Sequence, residues 1–300
     1  MTHQTETPRI PAGRMRAAVA LLVLIWGTTW AAIRVGLEGV PPFTGVAIRF
    51  AAASLLLLAL VPAFKAKLGG RPRERAVWLA NGVLQFGISY GVVYWSEQYV
   101  TSGLAAVLFA TFPLFVAILA HFLLPGEPLH RTGLVGVLAG FAGVAILYSE
   151  DLSLLGGPRV AFASVIFLLS PLTSALANIV VKRWGKGMHP MSTSIVPMAI
   201  GAVILGTIAL TRERHLPMRF DATSVGSIAY LVVFGTATTF LLYFWLLSHY
   251  PARKMALIAY GTPVVAVFVG TIFLDEPLTA RMIVGSIVVV TGVAVAVRSH

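Results

Sequence analysis

The chain has 300 residues, of which 58% are apolar and only 11% charged. Soluble domains carry about 25% charged residues, so too few charges are present to cover a water-exposed surface, and the composition points to a bilayer as solvent. Cysteine is absent, which excludes a disulfide framework and thiolate chemistry. The net charge of +11 sits in short loops between apolar runs. It therefore reads as a topology signal and not as a nucleic-acid surface.

Arg14 and Arg16 precede the first apolar run in the manner of a signal peptide. No small-x-small cleavage site closes that run and many spans follow, so an uncleaved first helix is expected. About 20 apolar residues are needed to cross the hydrocarbon. Runs with little or no charge cover 17–33, 42–64 (broken by Arg49), 76–96, 98–124, 132–149, 160–181, 190–211, 223–248, 255–274 and 282–297. These predict ten transmembrane helices. Several runs are rich in Val and Ile, but an open strand in lipid leaves backbone groups unpaired, so helix is favoured. A barrel would need segments of about ten residues with alternating polarity. The punctuation is Gly39-Val40-Pro41-Pro42, Gly69-Gly70-Arg71-Pro72 and Gly156-Gly157-Pro158. The last of these divides the chain into halves 1–155 and 156–300.

With the N-terminus placed inside, the inner segments hold fifteen Lys and Arg residues and the outer segments five. The inner clusters include Lys65, Lys67, Arg71, Arg73, Arg75, Lys182, Arg183 and Lys186. The bias predicts both termini in the cytoplasm. Short loops with this bias suit a bacterial inner (plasma) membrane.

The halves end alike. PLFVAILAHFLLPGEPL (113–129) matches PVVAVFVGTIFLDEPL (263–278), which pairs Pro113 with Pro263 and Glu127-Pro128-Leu129 with Glu276-Pro277-Leu278. Gly136 pairs with Gly285, Gly143 with Gly292, and Tyr94-Trp95 with Phe244-Trp245. Each half holds five spans, an odd number, so the second copy enters the membrane from the opposite side. Inverted repeats suit alternating access about a midplane site, although such repeats also occur in channels.

Trp26-Gly27-Thr28-Thr29-Trp30 in helix one, Arg49-Phe50 in helix two and the Pro-to-Glu-Pro-Leu blocks resemble EamA-type members of the drug/metabolite transporter superfamily. The resemblance covers nearly the whole chain. It implies an all-α membrane fold of ten helices, as two inverted five-helix repeats around a central cavity. Helices one, three, four, six, eight and nine would line that cavity. It also implies export of small metabolites, with amino acids, including aromatic ones, among the substrates. The second half departs from the pattern: Ser170-Pro171-Leu172-Thr173-Ser174 stands where a Trp-Gly-Thr equivalent would be.

Asn81, Gln85 and Ser89 are spaced four apart and share one helix face. They are cavity lining or interhelical packing groups. Gln85 and Ser89 lie deeper and are the candidate contacts. Trp26, Tyr90, Tyr243 and Tyr260 are deep aromatics, able to stack on apolar solutes and offer phenol hydroxyls; ordinary core packing is the competing reading. Trp95 and Trp245 fit an interfacial belt. Asn178, Thr238 and Thr239 add polarity to the second half, although membrane Thr often bonds its own backbone. The candidate solute contacts are thus Trp26, Gln85, Ser89, Tyr90, Asn178, Thr239, Tyr243 and Tyr260.

Pro113 and Pro263 fall inside helices four and nine, where proline removes a ladder donor. They read as hinges or as simple kinks. Arg49 is an intramembrane charge, roughly 10 Å from its helix end at 1.5 Å per residue. Such a residue is by default a functional candidate; the favoured reading is a structural role, either snorkelling or capping carbonyls of a neighbouring helix. His121 and His249 read as polar edge residues, although histidine as a residue type also serves as a charge switch.

All eleven acidic residues lie in loops or at span ends, so no carboxylate proton-coupling site is visible. Phosphate loops, metal clusters and nucleophile elbows are absent from the sequence, and no cofactor, metal or nucleic-acid partner is expected. Glu127 and Glu276 each precede Pro, where a turn or helix-start role suffices. The expected activity is secondary transport, a carrier or facilitator exporting small organic solutes such as aromatic or bulky apolar amino acids. A drug-type efflux carrier or channel is the alternative, and an intramembrane enzyme a remote one. Oligomeric state and coupling ion are not legible.

Overall fold

The computed structural model describes residues 12–124, 131–148, 157–250, 255 and 258–298. Among them the chain forms ten helices and no strand. These are α1 (Ala12–Leu37), α2 (Pro42–Phe64), α3 (Pro72–Ser96), α4 (Ser102–Leu123), α5 (Arg131–Tyr148), α6 (Pro158–Trp184), α7 (Ser192–Arg212), α8 (Ala222–His249), α9 (Ile258–Phe273) and α10 (Ala280–Arg298). The seven helices other than α5, α9 and α10 are each long and apolar enough to cross a membrane. The remaining three are apolar helices of 18, 16 and 19 residues.

Local chemistry sets the boundaries. Pro42 opens α2, where its fixed φ is preorganised and its missing N–H costs nothing. Lys65 closes it in the left-handed region, with its N–H on the Pro62 carbonyl. The Glu74 carboxylate accepts the N–H groups of Gly70 and Arg71 ahead of α3, at 2.6 and 2.8 Å. Asp221 caps α8 by accepting the Ser224 N–H at 2.8 Å.

Repeat-equivalent helices pair across the halves: α2 with α7, α4 with α9, and α5 with α10. Helix α1 packs on α9 as α6 packs on α4. A pseudo-two-fold axis in the membrane plane produces this pattern. The α5–α10 seam is built on glycine. A Cβ on Gly143 would lie 2.6 Å from the Val289 backbone N and 2.9 Å from the Gly285 carbonyl. A Cβ on Gly292 would meet Gly136 O at 2.7 Å and the backbone of Gly140. The glycines matched by the internal repeat thus touch one another, which lets the two backbones approach closely.

For reference, the proximal end of the bundle is where α1 begins and α10 ends. The distal end is where α3 ends and α4 begins.

Candidate functional site: a cavity between the halves

Four helices depart from regular α geometry around one cavity. Helices α3 and α8 carry π-helical segments at Gly82–Ser89 and Val233–Thr238. The register that pairs Tyr94-Trp95 with Phe244-Trp245 lays one segment over the other. Such segments concentrate at functional sites, since the wider turn re-aims side chains and loosens the carbonyl ladder. Nothing in the hydropathy pattern signals them. Helix α4 breaks after Phe109 and resumes at Phe112; α6 breaks after Phe167 and resumes at Leu169. In each case the last residue before the break is four before a proline, Pro113 or Pro171, and proline rejects the carbonyl four positions back. Pro113 therefore lies inside the α4 span, in the first turn of its second segment. Pro263 lies inside α9.

The cavity encloses about 800 Å³ of empty space, the open solvent at its mouth included. Helices α1, α3, α4, α6, α8 and α9 supply its wall, together with Met255. The aromatic part is Trp26, Trp30, Tyr90, Phe109, Phe112, Phe240 and Tyr243. Trp26 meets Tyr243 at 5.3 Å and Phe240 at 5.9 Å between ring centroids, and Trp30 meets Phe109 at 5.5 Å. The polar part includes Gln85, Ser89, Ser174, Asn178, Thr29 and Thr262. Among the described residues no charged side chain lines the cavity.

The polar groups are organised by one another. Ser89 Oγ lies 2.8 Å from the hydroxyls of both Ser170 and Ser174. Tyr243 donates its hydroxyl to Asn178 Oδ1 at 2.6 Å, and Asn178 Nδ2 donates to the Ser174 carbonyl at 3.2 Å. Trp26 is different: its indole N–H is buried and has no hydrogen-bond partner. An unmet buried donor costs about 1–3 kcal/mol.

Arg49 sits behind the wall and is 1% exposed. Its Nε donates to Thr236 Oγ1 at 2.6 Å, Nη2 to the Gly235 carbonyl at 3.0 Å, and Nη1 to the Tyr94 hydroxyl at 3.3 Å. Its guanidinium lies 5.1 Å from the Tyr90 ring centroid. Thr236 and Gly235 belong to the π segment of α8, so Arg49 serves the backbone that this segment loosens. It also holds α2 against α3 and α8.

Charged groups close the helix ends. At the distal end Glu276 accepts Ser102 N–H, Ser102 Oγ–H and Gly103 N–H at 2.7, 2.9 and 3.0 Å, which caps α4 from the second half. It does serve a helix start, but that of a helix 174 residues away. Glu213 caps α2 in the same way through Phe43 and Thr44. Anions at helix N-termini meet the positive end of the dipole. At the proximal end Lys182 donates to the Leu247 and Tyr250 carbonyls, and Arg183 to the Leu123 carbonyl, which closes the C-termini of α8 and α4.

Of the residues singled out from sequence, Trp26, Gln85, Ser89, Tyr90, Asn178 and Tyr243 come together on the cavity wall. Thr239 is buried, with its hydroxyl toward the Thr236 carbonyl at 3.4 Å, the backbone bond typical of membrane Thr. Asn81 is a packing group: it donates to the Thr193 carbonyl at 3.0 Å. The Tyr260 side chain and Glu127-Pro128-Leu129 lie outside the described residues. Trp30, Phe109, Phe112 and Phe240 also line the cavity, although none of them was among the candidate contacts read from the sequence. Sequence reasoning also missed Glu97, whose carboxylate is fully buried in the connection between α3 and α4.

A profile of the EamA-like transporter family matches residues 15–149 and again residues 161–298. An uncharacterized inner membrane transporter of Escherichia coli (strain K12), YedA, is 32% identical over 258 residues, which is 85% of this chain and 81% of its own. An uncharacterized transporter of Bacillus subtilis (strain 168), YoaV, is 25% identical over 283 residues, 93% of this chain and 95% of its own. A solved crystal structure shares the fold, with a TM-score of 0.72, 17% identity, and coverage of 95% of this chain and 97% of its own. With ten helices in inverted repeats and a cavity between them, the chain belongs to the EamA-like transporter family and is a multi-pass membrane transporter of that type.

Proposed function

We propose that the protein is a secondary carrier that exports small organic solutes with a bulky apolar or aromatic group, amino acids of that kind foremost, by alternating access. The observation that carries this reading is the division of the cavity wall. Aromatic faces offer stacking, and Gln85, Asn178 and the unpartnered Trp26 N–H offer hydrogen bonds to one polar end. The absence of formal charge from the described wall favours a solute that is neutral overall. In this reading Gln85, Ser89, Tyr90, Asn178 and Tyr243 contact solute, and Pro113 and Pro263 lie where α4 and α9 flex. Both termini face the cytoplasm of an inner membrane, with the distal end outside.

The test is transport of a labelled amino-acid panel by the full chain in proteoliposomes. Saturable movement of aromatic and large aliphatic members, with small and charged members left behind, is expected. Failure to carry any member by verified folded protein overturns the amino-acid assignment and leaves drug-like efflux as the reading to pursue.

A further inference from the structure

Glu97 has no place in the site described above. It is 0% exposed, and neither carboxylate oxygen has a hydrogen-bond partner. An ionised carboxylate in that position is costly unless it is paired and hydrogen-bonded. Charged groups are close by, yet their bonds go elsewhere. Arg34 on α1 donates Nη1 to the Glu97 backbone carbonyl at 2.6 Å. Arg49 on α2 is committed to α8 and the Tyr94 hydroxyl. Glu276, from the connection after α9, is held at the start of α4. Burial holds the Glu97 carboxyl well above the usual carboxylate range; the Glu276 carboxylate acts in the same direction, and Arg34 and Arg49 oppose it.

Its position matters to the cavity. Glu97 donates its N–H to the Val93 carbonyl at 2.9 Å, one turn on from a lining residue, and Arg34 follows the lining residue Ile33. Glu97 therefore stands between the cavity and the distal surface, beside the Glu276 contact that ties the halves together there. A metal cation would need a shell of oxygens beside two guanidinium groups. A proton needs only one carboxylate oxygen.

We propose that Glu97 is a proton-binding site: it is protonated in this conformation and loses its proton at the distal end when α4 and α9 part there. The acid O–H bond breaks, the electron pair stays on the carboxylate, the proton passes to water, and the Arg34 guanidinium receives the carboxylate. Each cycle of the carrier is thereby linked to proton movement, a step that rests on the carrier reading.

Infrared spectroscopy of the full chain in lipid nanodiscs reads the proton directly, without any solute. At neutral pH the wild type is expected to show a protonated-carboxyl stretch. Glu97→Gln loses this band, Glu97→Asp shifts it, and Glu276→Gln keeps it. A wild type without the band, or a band undiminished in Glu97→Gln, overturns the assignment. In proteoliposomes, an imposed proton gradient is expected to change wild-type flux of a carried amino acid by about tenfold, within the range of coupled sites. Glu97→Gln keeps counterflow at equal pH and loses that response. A variant that responds like the wild type overturns the coupling. Loss of the band without flux of any amino acid overturns the substrate reading alone.

Discussion

Arg49→Met is expected to leave little folded protein in the membrane. Methionine fills the apolar space of the side chain but supplies no donor. The Gly235 carbonyl and the Thr236 hydroxyl, both inside the bundle, then lose the group that serves them. Each orphaned buried acceptor costs about 1–3 kcal/mol, and the Tyr90 ring loses its cation. Arg49→Lys is expected to fall between. A lysine ammonium can meet one of these acceptors but cannot span both as the guanidinium fork does. Monodispersity and melting temperature after mild detergent extraction are the readouts. Wild-type values for Arg49→Met contradict the view that Arg49 braces the π segment of α8.

Gln85→Ala is expected to lower flux of a carried amino acid by about tenfold, the worth of one hydrogen bond to solute, while melting temperature stays near that of the wild type. Tyr90→Phe is expected to do the same to a smaller degree, because it removes a hydroxyl and keeps the ring. Tyr90→Ala is a poor probe. The Tyr90 ring packs on Phe50 at 4.9 Å and Phe240 at 6.1 Å and lies beside Arg49, so its removal also weakens the bundle. Unchanged flux in both Gln85→Ala and Tyr90→Phe removes these positions from the solute site.

The architecture was legible because lipid imposes it. A charge deficit, ten long apolar runs and short punctuated loops admit few alternatives, and the paired Gly and Pro positions exposed the duplication. Gln85, Ser89 and Asn178 were legible for a related reason, since a polar side chain in an apolar run must turn inward. The aromatic wall was legible only in part. Phe109 and Phe240 carry no polar group of their own to set their direction, and a helix break follows Phe109 while a π segment precedes Phe240. Partners distant in sequence were hidden altogether. Glu276 looks like a local turn residue until α4 is seen to start against it. Glu97, at the edge of a span, has the sequence context of a surface residue, and only the packing of α1, α3 and the distal connections buries it.

Alternating access of the cavity is the central claim, and a distal lock tests it most directly. A Cβ on Gly103 of α4 lies 3.6 Å from the Val267 Cα of α9, close enough for a disulfide. The chain has no native cysteine to interfere. In the Gly103→Cys, Val267→Cys protein, oxidation is expected to stop flux and reduction to restore it. A third cysteine on the cavity wall, at Val93, should then react with a membrane-impermeant thiol reagent from the proximal side only. Flux that survives the lock, or reaction from both sides while it holds, contradicts alternating access and favours a channel.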